Sequence, residues 1–210
     1  MGNWRVSGFS YPFRQPKIKP GSREKTNLKI HTKDLALIAI YAALYAALVV
    51  VLGGISYGPV QVRIADSLVA AVPLLGIAGV LGHTLGVFIA NIFSPLGPID
   101  LLNTVPSFAM SFVVYYVYKK TKNDYTVIGT CLAYSSVLGV TVGLMLSYVL
   151  SLPLLATIVY IAIGNIIASV LIGWPLFKLL KKTGVFERWF ANERAGYEHP
   201  PKLEKNKALT

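Results

Sequence analysis

Arg63, Asp66 and Asp100 are the only charged side chains between Leu35 and Tyr118, in a length of chain that otherwise reads as soluble in hydrocarbon. Ionisable groups at membrane depth face a bundle interior or a wet cavity, so these three mark a polar-lined pocket for a small ligand. In a helix that starts near Gln61, the three-residue spacing from Arg63 to Asp66 puts both on one face, where they pair or flank a ligand. The bland alternative for Arg63 alone is a side chain that snorkels to headgroups. It explains Asp66 poorly, because a carboxylate gains nothing at an anionic interface. Asn91 and Asn165 join the set, since an amide has four hydrogen-bonding positions and needs partners at that depth. Asp100 lies in SPLGPIDLLN, a turn on the non-cytoplasmic side, where helix capping is its simplest alternative role. His83, among apolar neighbours, reads as a hydrogen-bonded interior histidine. It is not read as a metal ligand, because His31 and His199 lie in the tails.

The elements that must position these groups follow from composition. The chain has 210 residues, 54% of them hydrophobic and 14% charged, with a mean hydropathy of +0.58. That is one domain's length and too apolar for a soluble domain, so the chain is expected to be an integral membrane protein. The net charge of +11 is not spread over a fold. Eight Lys and Arg precede Leu35, three lie in Lys119 to Lys122 and eight follow Phe177, which fits tails and loops on one side of a bilayer and argues against nucleic acid as a partner. The lone Cys131 sits in an apolar run as a packing residue and excludes an internal disulfide.

Residues 1–33 are basic, contain Pro12, Pro16 and Pro20, and lack the apolar run of a signal peptide; they are expected to be a cytoplasmic tail without fixed structure. Leu35 to Leu52 is 18 residues without a charge, near the ~20 a helix needs to cross the hydrocarbon core. Ala39, Ala43 and Ala47 recur along it, with Ala42 and Ala46 beside them, a nearly flat docking face for another helix. The pattern leaves open whether that helix belongs to this chain.

Ile64 to Phe93 is one overlong span or two short ones, and topology decides between them. If the basic segments share the cytoplasmic side, an even number of crossings lies between Leu52 and Leu101, so the segment splits around Pro73 to Gly79. Halves of about 15 residues must tilt or bury themselves in the bundle. Leu101 to Tyr118 is the fourth crossing, ending in VVYYVYKK. Tyr125 to Phe177 runs 53 residues without a charge and must fold back, at Ser151-Leu152-Pro153. The expected fold is therefore an all-α, six-transmembrane-helix bundle over residues 34–182, with short tilted central helices and both termini cytoplasmic. A short interfacial helix and tail are expected over 183–210.

Catalytic motifs are absent. There is no GxxxxGK[ST] loop, HExxH, GxSxG elbow or paired cysteine set. No enzyme activity, ATP hydrolysis, metal or cofactor is expected.

The runs ALYAAL, ISYGPVQVRIADSL and GVFIANIFSPLGPID, with AIGNIIASVLIGWPLF in the last helix, resemble the queuosine-precursor transporter family QueT over roughly Leu35 to Leu180. These are substrate-binding S-components of energy-coupling factor (ECF) transporters. The resemblance implies a six-helix protein of the cell membrane that captures a deazaguanine base from outside. Its implied partners are a membrane coupling subunit (T-component), docked on a small-residue face of Ala39, Ala43 and Ala47 or of Ala42 and Ala46, and a pair of ATP-binding subunits. Asp66, Asn91, Asp100 and Asn165 would read the edge of the base, with Arg63 orienting Asp66 or a carbonyl and an aromatic ring stacking on its face. The chain departs from the family pattern at Asp66 and Asn165, where the pattern has Glu, so another vitamin-like ligand keeps the same architecture. A stand-alone proton-coupled carrier using Asp66, or a membrane anchor without a ligand, are the rivals from other classes.

Overall fold

The structure, a computed structural model, describes residues 32–58 and 61–184. The tail before Thr32 and nearly all of the expected C-terminal helix and tail lie outside the described residues. All the assigned elements are helical: α1 (Thr32–Val51), one turn α2 (Gly53–Ser56), a 3-10 helix (Ile64–Ala71) running into α3 (Val72–Ile92), a second 3-10 helix (Gly97–Asn103) running into α4 (Thr104–Thr121), α5 (Tyr125–Leu150), α6 (Leu154–Ile166), a π-helical turn (Ile167–Ile172) and α7 (Gly173–Thr183). Among the described residues, five continuous stretches are long and apolar enough to cross a membrane: Thr32–Val51, Ile64–Ile92, Gly97–Thr121, Tyr125–Leu150 and Leu154–Thr183. Their outward surface is apolar, with Ile40, Leu44, Phe108, Leu155 and Leu171 exposed. A multi-pass membrane protein presents such a surface to lipid.

Helix ends follow local chemistry. Lys122 and Ser151 take left-handed backbone conformations after α4 and α5, and Pro153 then starts α6 with a φ of −59°. The fold-back expected at Ser151-Leu152-Pro153 is therefore present. Between α5 and α6 the backbones nearly touch, since a Cβ on Gly143 would lie 2.8 Å from the Ile158 Cα.

α1 packs on the second part of α3 through glycines. A Cβ on Gly82 would meet the Tyr41 side chain at 3.0 Å, and one on Gly86 the Tyr45 Cβ at 2.7 Å. Beyond the end of α1, the Tyr57 hydroxyl donates to the Ala90 carbonyl at 2.7 Å. These pairs rise together in number, so the two helices run parallel, and the chain between them must return. It reverses at Gly76, whose φ of 65° and ψ of −144° interrupt the helix inside the Pro73 to Gly79 stretch where a split is expected. The returning piece lies on the last helix, where a Cβ on Gly173 would meet the Ser67 carbonyl at 2.8 Å. Its Leu68, Ala71 and Leu75 share an apolar groove with Ala36 and Leu37 from the start of α1 and Leu176 and Leu180 from α7.

The parallel packing divides the alanines of α1. Ala42 and Ala46 are buried within the chain, whereas Ala39, Ala43 and Ala47 are exposed. Of the two alanine sets expected to dock a partner, only Ala39, Ala43 and Ala47 are exposed. Ala42 and Ala46 belong to a face, also carrying Tyr41 and Tyr45, that is already covered by this chain.

At one end of the bundle, Lys178 and Lys181 both donate to Asp124. Trp174 stacks between Tyr125 and Phe177. The turn between α4 and α5 thus lies against the end of α7. Partial burial by itself raises the Asp124 carboxyl, but the hydrogen bonds and charges of Lys181 and Lys178 outweigh it and hold the group below its ordinary range.

Two expectations follow. Gly86→Leu should lower the detergent melting midpoint by an overpacking cost of about 1–3 kcal/mol, while Ala43→Leu on the exposed face should stay within about 0.5 kcal/mol of the parent. For Asp124, the lowered value means its stabilisation is in place above about pH 4 and is lost as pH falls through the depressed value. Asp124→Asn should therefore melt lower than the parent at pH 7, with the gap closing in acid.

Candidate functional site

The polar side chains are held where the helices are least regular. Arg63 precedes the first 3-10 helix and Asp66 lies in its first turn. Asn91 ends α3, Asp100 and Asn103 lie in the second 3-10 helix, and Asn165 stands just before the π-helical turn. Irregular backbone at membrane depth persists only where it is buried in protein or lines a cavity, and π-helical turns gather at functional sites.

Asp100 is the hub of the first group. Its Oδ1 accepts from Asn103 Nδ2 at 2.7 Å, its Oδ2 faces Arg63 Nη2 at 3.4 Å, and its backbone carbonyl accepts from Asn91 Nδ2 at 2.9 Å. Arg63 also directs Nε to the Ser56 carbonyl at 3.4 Å, and its guanidinium carbon stands 5.8 Å from the centre of the Tyr57 ring. The expected pairing of Arg63 with Asp66 gives way to a partner 37 positions on. The reason is local: the helix begins at Ile64, so Arg63 is outside it, with φ −81° and ψ 90°, and the two side chains do not share a helix face. Nor does Arg63 snorkel, for it is only 4% exposed. Asp100 does not cap α4 either, because its carboxylate is committed to Asn103 and Arg63 and the helix starts without a side-chain cap.

Asp66 belongs to a second group, fully buried. Its Oδ1 accepts from the Tyr45 hydroxyl at 2.6 Å and the Tyr134 hydroxyl at 3.1 Å. The Tyr134 oxygen is also 3.0 Å from His83 Nε2, and His83 Nδ1 is 3.3 Å from the Tyr41 hydroxyl. His83 is thus an interior hydrogen-bonded histidine held between tyrosines of α1 and α5. The two groups adjoin through the backbone, where the Asp66 N–H donates to the Arg63 carbonyl at 2.9 Å.

Asn165 is brought beside this loop by its neighbour Gly164. A Cβ there would collide with the Gln61 carbonyl oxygen, so only glycine lets the 61–62 backbone cross the helix at this level. The structure therefore brings Arg63, Asn91 and Asp100 into direct contact, joins Asp66 to them through the chain, and sets Asn165 on the helix turn that the same loop crosses.

Among the described residues, six buried side-chain atoms make no hydrogen bond: Ser56 Oγ, Asp66 Oδ2, Asn91 Oδ1, Asn103 Oδ1, Thr104 Oγ1 and Asn165 Oδ1. Such groups are few in native proteins and each needs an explanation. Three of them fall on residues singled out in the sequence. Ser56, Asn103 and Thr104 escaped that reading, although the three-residue step from Asp100 to Asn103 is the spacing at which helical neighbours meet. Tyr45 and Tyr134 escaped it too, and their one signal is a hydroxyl inside an apolar span that must find a partner when buried.

Fold and site together define an all-α multi-pass membrane protein with a buried polar centre. The chain belongs to the QueT transporter family, whose model matches residues 35–182. A solved structure described as the crystal structure of an S-component of an ECF transporter aligns with 82% of this chain and 100% of its own, at 13% identity and a TM-score of 0.45. No curated protein matches the chain.

Removing one partner of the Arg63–Asp100 pair leaves an uncompensated buried charge, a loss of about 3–5 kcal/mol. Arg63→Leu and Asp100→Leu should each lower the melting midpoint strongly, and the double variant should lose less than the sum of the two. Strict additivity in that cycle would show that the pair does not couple.

Proposed function

We propose that this chain is the substrate-capturing S-component of an energy-coupling factor transporter in the cell membrane, and that it imports a 7-deazaguanine precursor of queuosine or archaeosine. The observation that carries the reading is the set of buried, unsatisfied oxygens on Asp66, Asn91, Asn103 and Asn165. A transport family needs a ligand site, and polar atoms shielded from both water and partners are suited to meet a ligand's N–H groups. In this reading Asp66, Asn91 and Asn165 contact the base, whereas Arg63 and Asp100 hold the contacting groups in place.

The membrane domain of residues 34–182 then crosses six times with both ends cytoplasmic. Support comes from the parallel course of α1 and α3 around the reversal at Gly76, which divides the second apolar stretch into an inward and an outward leg. The cytoplasmic side of this reading is supported by the basic residues Lys119, Lys120, Lys178, Lys181 and Lys182, two of which clamp Asp124, through the positive-inside rule. The Arg63–Asp100 end is then the outer one, where a substrate arrives.

Energy must come from partners, since the sequence has no phosphate-binding GxxxxGK[ST] loop. A membrane coupling subunit and ATP-binding subunits supply it, and the exposed Ala39, Ala43 and Ala47 offer the coupling subunit a flat helix face.

The test is the melting midpoint of the detergent-purified chain against 7-deazaguanines, guanine and several vitamins. A ligand at 100 times its Kd stabilises by about 2.7 kcal/mol. A selective rise with a deazaguanine, abolished in Asn165→Ala, is the expected result. A rise with one of the vitamins alone would discard the substrate, and no rise with any compound would discard the capture role.

A further inference from the structure

The fold leaves open the apolar groove between α1, the returning piece before Gly76 and α7. Its floor, Leu68, Ala71 and Leu75, is buried, whereas Ala36 and Leu44 on its α1 wall are exposed. No polar atom lines it, and its volume is about 370 Å³. Water finds no partner in such a space, so the occupant is hydrocarbon.

Size decides which hydrocarbon. From Ala36 to Leu44 the groove follows α1 over a rise of ~12 Å, which gives the 370 Å³ volume a mean cross-section of about 30 Å². A helix with its side chains is ~10–12 Å across and needs roughly 80–110 Å². An extended acyl chain, one carbon thick with neighbours at ~4 Å, needs only roughly 20 Å². The length agrees as well, since one leaflet supplies ~15 Å of the ~30 Å hydrocarbon core.

Lysines flank the groove where α1 begins and α7 ends. Lys33 is exposed one helical turn before Ala36, and Lys182 is exposed two residues after Leu180. Asp34 is the acidic residue in the first turn of α1, and Asp124 is shared by Lys178 and Lys181. These four lysines therefore stand against two carboxylates. In the orientation proposed above they meet the cytoplasmic leaflet, whose anionic headgroups attract juxtamembrane lysines.

We infer that the groove holds one acyl chain of an anionic phospholipid, with the phosphate against Lys33 and Lys182. The inference rests on the membrane orientation of the transport reading and not on its substrate.

Native mass spectrometry of the detergent-purified chain tests it, with phosphatidylglycerol and phosphatidylcholine of identical acyl chains as probes. The first phosphatidylglycerol should bind at least about fivefold tighter than the first phosphatidylcholine, the effect of one lysine at an anionic surface. Lys33→Gln combined with Lys182→Gln should bring the two lipids level. Ala36→Trp, at an exposed position on the groove wall, should weaken the first binding of both lipids by about tenfold or more and leave the lipid-free melting midpoint in place. Equal binding of the two lipids by the parent chain, a preference that survives in the double lysine variant, or unchanged binding in Ala36→Trp overturns the assignment. A lipid-free dimer that Ala36→Trp disperses overturns it in favour of a second copy of the chain. Each of these failures leaves the test with 7-deazaguanines untouched.

Discussion

The structure turns on the cost of keeping Arg63 out of water at the start of the second membrane-length stretch. A guanidinium at 4% exposure persists only with a counter-ion and with its remaining donors occupied. Asp100 and the Ser56 carbonyl meet that demand, and each brings a segment with it. Ser56 closes the turn after α1, Asp100 holds the 3-10 helix that leads into α4, and the Asp100 carbonyl holds the end of α3 through Asn91. Three connections that share no regular secondary structure are thus tied at one point. Their rigidity comes from electrostatics where packing of extended faces is unavailable.

Beneath that knot, α1 is fixed by a different device. Gly82 and Gly86 let its tyrosines lie flat on α3, and the hydroxyls reach polar groups of other elements: Tyr45 reaches Asp66, and Tyr41 reaches His83, which Tyr134 of α5 links back to Asp66. Close packing of small residues and satisfaction of buried polar atoms are the two forces left for helix association in lipid. The parallel α1–α3 pair uses both on the same face. That geometry also imposes the reversal at Gly76, because two parallel neighbours require a returning leg, and the only break inside α3 is at a glycine with positive φ.

The membrane class was legible because hydrocarbon-length runs need no partner to be recognised, and the backbone break at Gly76 falls inside the Pro73 to Gly79 stretch where charge parity calls for a split. Asn91, Asp100 and Asn165 were legible as polar side chains within apolar runs, and all three are buried. Pairings were not. Arg63 and Asp66 stand at helical spacing, yet the helix starts one residue after Arg63, and that single residue of phase sends the guanidinium to Asp100. Tyr45 and Tyr134 are separated from Asp66 by 21 and 68 positions, and nothing local to an apolar run marks which tyrosine finds a carboxylate. The five alanines of α1 read as one flat surface because small residues give no sign of which side is covered.

That division of α1 links the two roles proposed for this chain. Tyr41 and Tyr45 on its inner face belong to the hydrogen-bonded group around Asp66, and Ala39, Ala43 and Ala47 lie exposed on the same helix. In the proposed reading the ligand meets Asp66, a carboxylate whose Oδ1 accepts from Tyr45 of α1 at 2.6 Å. The Asp66 carboxylate is thus in direct contact with the helix that carries the exposed alanines. Rigid helices with close-packed glycine contacts move as bodies and do not bend locally. In the proposed reading, capture and docking thus share one helix, joined to the polar centre by the Tyr45–Asp66 hydrogen bond.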